Sequence, residues 1–206
     1  MRITLEAKQR TRERILETAE RLFRKQGFET ATTRELAQAA GIASGTLFNY
    51  FASKEAIALE LVLAALERAV AACERRASGL RNLEEDLYAL IAAGLRELRP
   101  LRSLVPAVIE TCLGAARCSS GGNEGAEALR LRQLEAAGRL AQHHGVGEAF
   151  SALAQELYWT LYTGVLAYWS RDESPRQEDT LAYLDAALKM FVEWLTRSSS
   201  PRRKNP

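Results

Sequence analysis

Apolar positions recur at helical spacing along almost the whole chain. From Thr11 to Gln26, Ile15, Ala19, Leu22 and Phe23 stand at i, i+4, i+7 and i+8, which is one face of an α-helix. Gly27 follows as a left-handed cap, with Phe28 placed to fold back in a Schellman-type stop. Thr32 and Glu35 have the spacing of a capping box and open a second helix, whose Leu36, Ala37 and Ala40 make a narrow face of small residues. Gly41 ends it. A short third helix is predicted from Ser44 to Tyr50, with Leu47 and Phe51 four apart on its inner side, and a long fourth from Ser53 to Ala77. A helix followed by two short helices and a tight turn at Gly41 to Ala43 is a helix-turn-helix.

Beyond the fourth helix, turn signals at Ser78 to Asn82, Pro100, Cys118 to Gly125, His143 to Gly147 and Asp172 to Gln177 divide the chain. They leave five helices: Leu83 to Arg99, Leu101 to Ala116, Glu124 to His143, Glu148 to Ser170 and Gln177 to Arg197. Strand signals are lacking, so the reading is an all-α protein of about nine helices. The eighth carries Leu153, Leu157, Leu161, Gly164, Val165 and Tyr168 on one stripe; the ninth carries Leu181, Leu184, Leu188, Phe191 and Leu195, widened by Val192 and Trp194. This pair either finishes an intramolecular core or joins the same two helices of a second chain in a four-helix bundle. A homodimer through Leu153 to Trp169 and Leu181 to Leu195 is expected, because one helix-turn-helix touches too few base pairs to be specific.

Composition narrows the function. With 47% hydrophobic and 26% charged residues, the 206-residue chain can bury a sizeable core. Its net charge of +2 makes it no polycation, but the charge is uneven: Arg2, Lys8, Arg10, Arg12 and Arg14 crowd the start, and Arg202, Arg203 and Lys204 the end. The start reads as a basic arm that either adds DNA contacts or stays solvated. Cys73, Cys112 and Cys118 form no CxxC pair, no apolar leader opens the chain, and no apolar run spans a bilayer; a cytoplasmic location without membrane contact is expected. Cys112, Cys118, His143 and His144 match no zinc spacing, and no activated nucleophile, phosphate loop or carboxylate pair is present, so neither an enzyme nor a cofactor is expected.

The third helix has the chemistry of a recognition helix. With Leu47 and Phe51 turned inward, Ser44, Gly45, Thr46, Phe48, Asn49 and Tyr50 face out. Gly45 allows close backbone approach, Thr46 offers a hydroxyl and a methyl, and Asn49 has the groups for a bidentate contact to adenine. Tyr50 reaches a phosphate with its hydroxyl, and Lys54 at the start of the next helix adds its charge to that helix's free amides. The alternative is that Phe48 and Tyr50 fill the junction between helices.

The stretch from Arg12 to Ile57, with its "RILETAERLFRKQGF", "TTRELAQAAG", "GTLFNYF" and "SKE" segments, resembles the N-terminal domain of the TetR family of transcriptional regulators without gaps. Gly164 to Leu195 is similar to the family's C-terminal helix pair. The resemblance implies a DNA-binding domain at 1–52, a larger ligand-sensing and dimerisation domain at 53–206, a palindromic double-stranded DNA operator and a small-molecule effector that releases a repressor. Carried over by position, it implies backbone contacts by Thr33 and Arg34, base contacts by Ser44, Gly45, Thr46 and Asn49, and phosphate contacts by Tyr50 and Lys54. Two positions depart from the family pattern: Ala43 replaces a capping Ser, and Phe48 replaces a Tyr, leaving an apolar ring for a thymine methyl. Leu104, Val108, Cys112, Trp159, Tyr162 and Val165 are the candidates for an apolar effector pocket, against plain core packing. The rival function is a small-molecule-binding helical protein or enzyme that uses its N-terminal helices for assembly alone.

Overall fold

A computed structural model describes residues 4–76, 82–115 and 124–199. Among these the chain forms nine α-helices and no strand. They are α1 (Leu5–Gln26), α2 (Thr33–Ala39), α3 (Ser44–Phe48), α4 (Lys54–Arg76), α5 (Leu83–Leu98), α6 (Val105–Ala115), α7 (Glu124–His143), α8 (Ala152–Trp169) and α9 (Glu178–Ser199). Cys118, the Gly- and Ser-rich turn up to Asn123, most of the Ser78 to Asn82 turn and the basic C-terminal tail lie outside the described residues.

The described chain divides into two compact units, Met1–Ala64 with Leu98–Glu127, and Ala65–Glu97 with Ala128–Pro206. The expected boundary at 52/53 falls inside the first, which also takes in the first turns of α4.

In the first unit, α1 begins six residues earlier than its apolar stripe suggested. The Thr4 hydroxyl accepts from Ala7 N at 3.3 Å, Glu6 sits in the first turn, and the run to Arg10 consists of good helix formers. Lys8, Arg10, Arg12 and Arg14 therefore stand on a helix and not on an extended arm. The Schellman stop expected after Gln26 is also corrected. Gly27 has the positive φ (87°), but its ψ of 160° lets the chain leave extended, and Phe28 returns only as a ring, edge-on to Phe23 at 5.2 Å. The paired bonds of that motif close α2 instead, where Gly41 (φ 66°) donates to Gln38 O and Ile42 to Ala37 O.

The capping box of α2 is formed: Glu35 N donates to Thr32 Oγ1, and Thr32 N to the Glu35 carboxylate at 2.9 Å. The Thr32 backbone amide, and after it the Thr32 hydroxyl, hold the Glu35 carboxyl below its ordinary range. α2 packs on α1 and α3, and Ile15, Ala19, Phe23, Leu36, Ala37, Leu47 and Phe51 are buried. The single helix expected from Leu101 to Ala116 is two elements, a 3-10 segment over Arg99–Leu104 and then α6. Pro100 and Pro106 each lack an amide proton, and Pro100 occupies the first turn of the 3-10 segment, where none is needed. This 3-10 segment packs against α1, with Leu101 and Leu104 buried.

In the second unit α5 opens on a second reciprocal cap, with Glu85 N donating to Asn82 Oδ1 at 2.9 Å and Asn82 N to Glu85 Oε2. α7 ends in a Schellman pair at Gly145 (φ 73°), within the turn signalled at His143 to Gly147. His144 Nε2 lies 2.8 Å from Asp86 Oδ2. α8 starts at Ala152 and not at Glu148, because Gly147–Ala149 forms a separate 3-10 turn. α8 and α9 pack along their length. Tyr158 is fully buried between them, its hydroxyl accepting from Gln133 Nε2 at 2.9 Å, and burial pushes its phenol well above the ordinary range.

α9 carries two apolar stripes. Leu184, Leu188, Phe191 and Leu195, four of the five singled out in the sequence, are buried within the chain. A second stripe, Tyr183, Ala187, Met190 and Trp194, faces outward in whole or part, beside exposed Leu153, Leu157 and Tyr168 of α8. Among the described residues no helix is long and apolar enough to cross a membrane.

Candidate nucleic-acid interface

α3 is only five residues long, too short to be stable alone, so its orientation comes from what it buries. Leu47 is 1% exposed and Phe51 4%, which anchors one side on the first unit's core. Ala43 occupies the N-cap without a side-chain hydrogen bond, and Ser44 is the first helical residue. Ser44, Gly45, Phe48 and Asn49 are exposed, and Thr46 and Tyr50 half-buried. A Cβ added to Gly45 would meet nothing within 4 Å. Phe48 is 51% exposed, so its ring does not fill the junction between helices. Arg34 is exposed and Thr33 half-buried in the first turn of α2.

Two cations near this face are turned inward. Lys54 Nζ donates to Phe28 O at 2.8 Å and Glu29 O at 3.4 Å and lies 4.3 Å over the Phe28 ring. Its ammonium therefore ties the start of α4 to the loop after α1, a role its position in the sequence did not suggest. Arg12 pairs with Glu60 of α4 through both carboxylate oxygens and donates Nη1 to Tyr50 O at 3.2 Å. Sequence reasoning counted Arg12 only as arm charge, since nothing local marks a partner 48 residues away. A groove of about 800 Å³ runs beside the α3 exit, where Leu5, Lys8, Gln9 and Arg12 of α1 face Asn49 and Tyr50.

The six effector-pocket candidates are all buried. Leu104, Val108 and Cys112 belong to the first unit, on the 3-10 segment and α6; Trp159, Tyr162 and Val165 belong to the second, on α8. Trp159 and Tyr162 have ring centroids 5.8 Å apart. Burial, with Glu127 second, pushes the Cys112 thiol up to about 11, so it is a protonated apolar neighbour at neutral pH. Of the four residues weighed for a metal site, His144 lies against Asp86, Cys112 is buried, and Cys118 is outside the described residues.

A supported three-helix head with an outward-facing short helix defines a helix-turn-helix protein. Residues 15–61 match the family model of bacterial regulatory proteins, tetR family. The chain is 40% identical over 76 residues to the HTH-type transcriptional regulator YerO of Bacillus subtilis, covering 37% of this chain and 24% of that protein. It is 39% identical over 75 residues to the HTH-type transcriptional regulator TcmR of Streptomyces glaucescens, covering 36% and 33%. The matched stretches thus span less than half the length of these curated relatives. Among solved structures, Thermus thermophilus FadR, a TetR family repressor in complex with lauroyl-CoA, superposes with a TM-score of 0.69 at 22% identity, covering 95% of this chain and 97% of that one. A TetR regulator from Rhodococcus sp. RHA1 superposes with a TM-score of 0.64 at 22% identity, covering 88% and 97%. Residues 15–61 are thus similar to tetR-family regulatory proteins, and the chain shares its fold with TetR-family structures.

Proposed function

We propose that the chain is a ligand-responsive transcriptional repressor that binds a palindromic DNA operator as a homodimer. The observation that carries this reading is α3, whose inner side is buried while Ser44, Gly45, Phe48 and Asn49 stand exposed within the family-matched segment. Residues 1–52 act as the head and 53–206 as the sensing and dimerising body. Ser44, Gly45, Thr46 and Asn49 read base edges, Phe48 meets a thymine methyl, and Thr33, Arg34 and the Tyr50 hydroxyl hold the backbone. Lys54 has one donor left after its two carbonyl bonds, so its phosphate contact is secondary to its clamp.

Dimerisation uses the outward faces of α8 and α9, and a palindromic operator read in successive major grooves requires the two α3 helices one helical repeat apart, about 34 Å. A small, largely apolar effector bound in the helical body favours one packing of it and moves the heads off that spacing. A family member crystallised with lauroyl-CoA is in keeping with an apolar effector.

Selection of bound duplexes from a random pool tests the reading. A palindromic consensus is expected, with affinity falling steeply as salt rises. Asn49→Ala is expected to relax discrimination at one base position by roughly 1–3 kcal/mol. Failure to bind any duplex at low salt rejects the function.

A further inference from the structure

Arg12 touches three parts of the head at once. Its Nε donates to Glu60 Oε1 at 3.0 Å and its Nη2 to the other carboxylate oxygen, the bidentate fork that suits a planar guanidinium. On the opposite edge Nη1 donates to the Tyr50 carbonyl at 3.2 Å, and the Arg12 Cζ lies 4.5 Å over the Phe51 ring. α3 has five residues, and the Asn49, Tyr50 and Phe51 amides close on the Thr46 and Leu47 carbonyls, which leaves the Tyr50 carbonyl at its exit open to an outside donor. Arg12 holds it, and through Glu60 the same side chain holds α4.

We propose that Arg12, acting through Glu60 and the Tyr50 carbonyl, is the positioning residue that sets sequence discrimination by α3. This inference rests on the DNA-binding reading above. Tyr50 directly follows Asn49, so a loosened carbonyl at Tyr50 displaces the side chain that reads the base, and an ångström of error there disrupts a bidentate contact. A shift in the first turns of α4 is passed to α3 through this pair. The rival role for Arg12, which also lines the groove beside Asn49, is a direct phosphate contact.

The test uses the full chain, its selected operator and a scrambled duplex of equal length, titrated across a salt series. The proteins are the wild type, Arg12→Lys, Glu60→Gln and the double variant, each checked for a cooperative thermal transition. Each single variant is expected to lower the ratio of operator to scrambled affinity roughly tenfold, and the double variant no further, since one linkage is broken in each. The slope of log affinity against log salt is expected to change by less than the roughly 0.9 of one lost phosphate contact. Arg12→Lys keeps the charge but not the fork, so its loss of discrimination separates geometry from charge. Glu60→Gln removes a negative charge, so equal tightening on both duplexes would mean the pair acts only through the field and would overturn the proposal. A wild-type ratio in Arg12→Lys, or additive effects in the double variant, would also overturn it while leaving the regulator reading intact. If Arg12→Lys fails to fold, Glu60→Gln, a nearly isosteric change, decides alone. Absence of any duplex binding by the wild type removes both.

Discussion

Tyr183 of α9 stacks on Tyr168 of α8 with ring centroids 5.2 Å apart, and both rings are more than 40% exposed. The stack lies toward the α8–α9 connection, on two helices that also expose Leu153, Leu157 and Met190, the last 73% exposed. A Cβ added to Gly164 would come within 3.4 Å of the Tyr183 hydroxyl, so the two helices are close at this point. Exposed apolar patches of this extent mark interaction surfaces. Met190→Asp is expected to convert the proposed dimer to monomer at micromolar concentration while leaving the helix content unchanged. Light scattering coupled to size exclusion measures it; a wild type that is already monomeric removes the proposed interface.

Gly45 separates folding from function. Nothing in the chain lies near the missing side chain, and alanine is the better helix former. Gly45→Ala is therefore expected to keep or raise stability by roughly 0.5–1 kcal/mol, yet to weaken operator binding if the backbone approaches the groove there. Thermal melting and duplex titration on one sample give both numbers. Full operator affinity in this variant would remove Gly45 from the interface.

Lys54 predicts a stability effect in place of a simple loss of charge. Removing its ammonium strips a donor from the Phe28 and Glu29 carbonyls, so Lys54→Ala is expected to cost roughly 1–2 kcal/mol in denaturant unfolding. A variant of unchanged stability that binds every duplex more weakly would instead return Lys54 to the phosphate backbone.

Acid sensitivity is expected at the α8 to α9 connection. Asp172 accepts from the Ser174 and Thr180 backbone amides, at 2.8 and 2.9 Å, and from the Thr180 hydroxyl. Hydrogen bonds from Ser174 and then Thr180 lower its carboxyl well below the ordinary 3.8. A lowered folded value stabilises the chain above the unfolded value. That contribution is lost as pH falls below about 4 toward the folded value. Asp172→Asn is expected to be less stable at neutral pH and to flatten this acid limb, as followed by circular dichroism during acid titration. A parallel, undiminished limb would place the acid lability elsewhere. The same network steadies Arg176 and Gln177, whose φ values of 53° and 60° are unusual for residues with side chains.

The features legible from the chain alone are local. The capping box at Thr32 and Glu35, the stop at Gly41, the inward Leu47 and Phe51 and the span of α7 each depend on residues within a turn or two of one another, so periodicity and cap chemistry suffice to read them. The long gapless match to one family rests on the same local segments. The missed start of α1 and the 3-10 segment before α6 are local too, but their signals, a Thr cap ahead of a polar run and a pair of prolines, carry no apolar stripe. Which charges are engaged and which stripe is covered depends on how the helices pack. Arg12 meets Glu60 across 48 positions and Lys54 meets Phe28 across 26. α9 could bury either of two apolar faces until α8 packed on one of them. Such choices belong to contacts between distant residues, where every candidate partner has the same composition and only the folded chain brings one of them within reach.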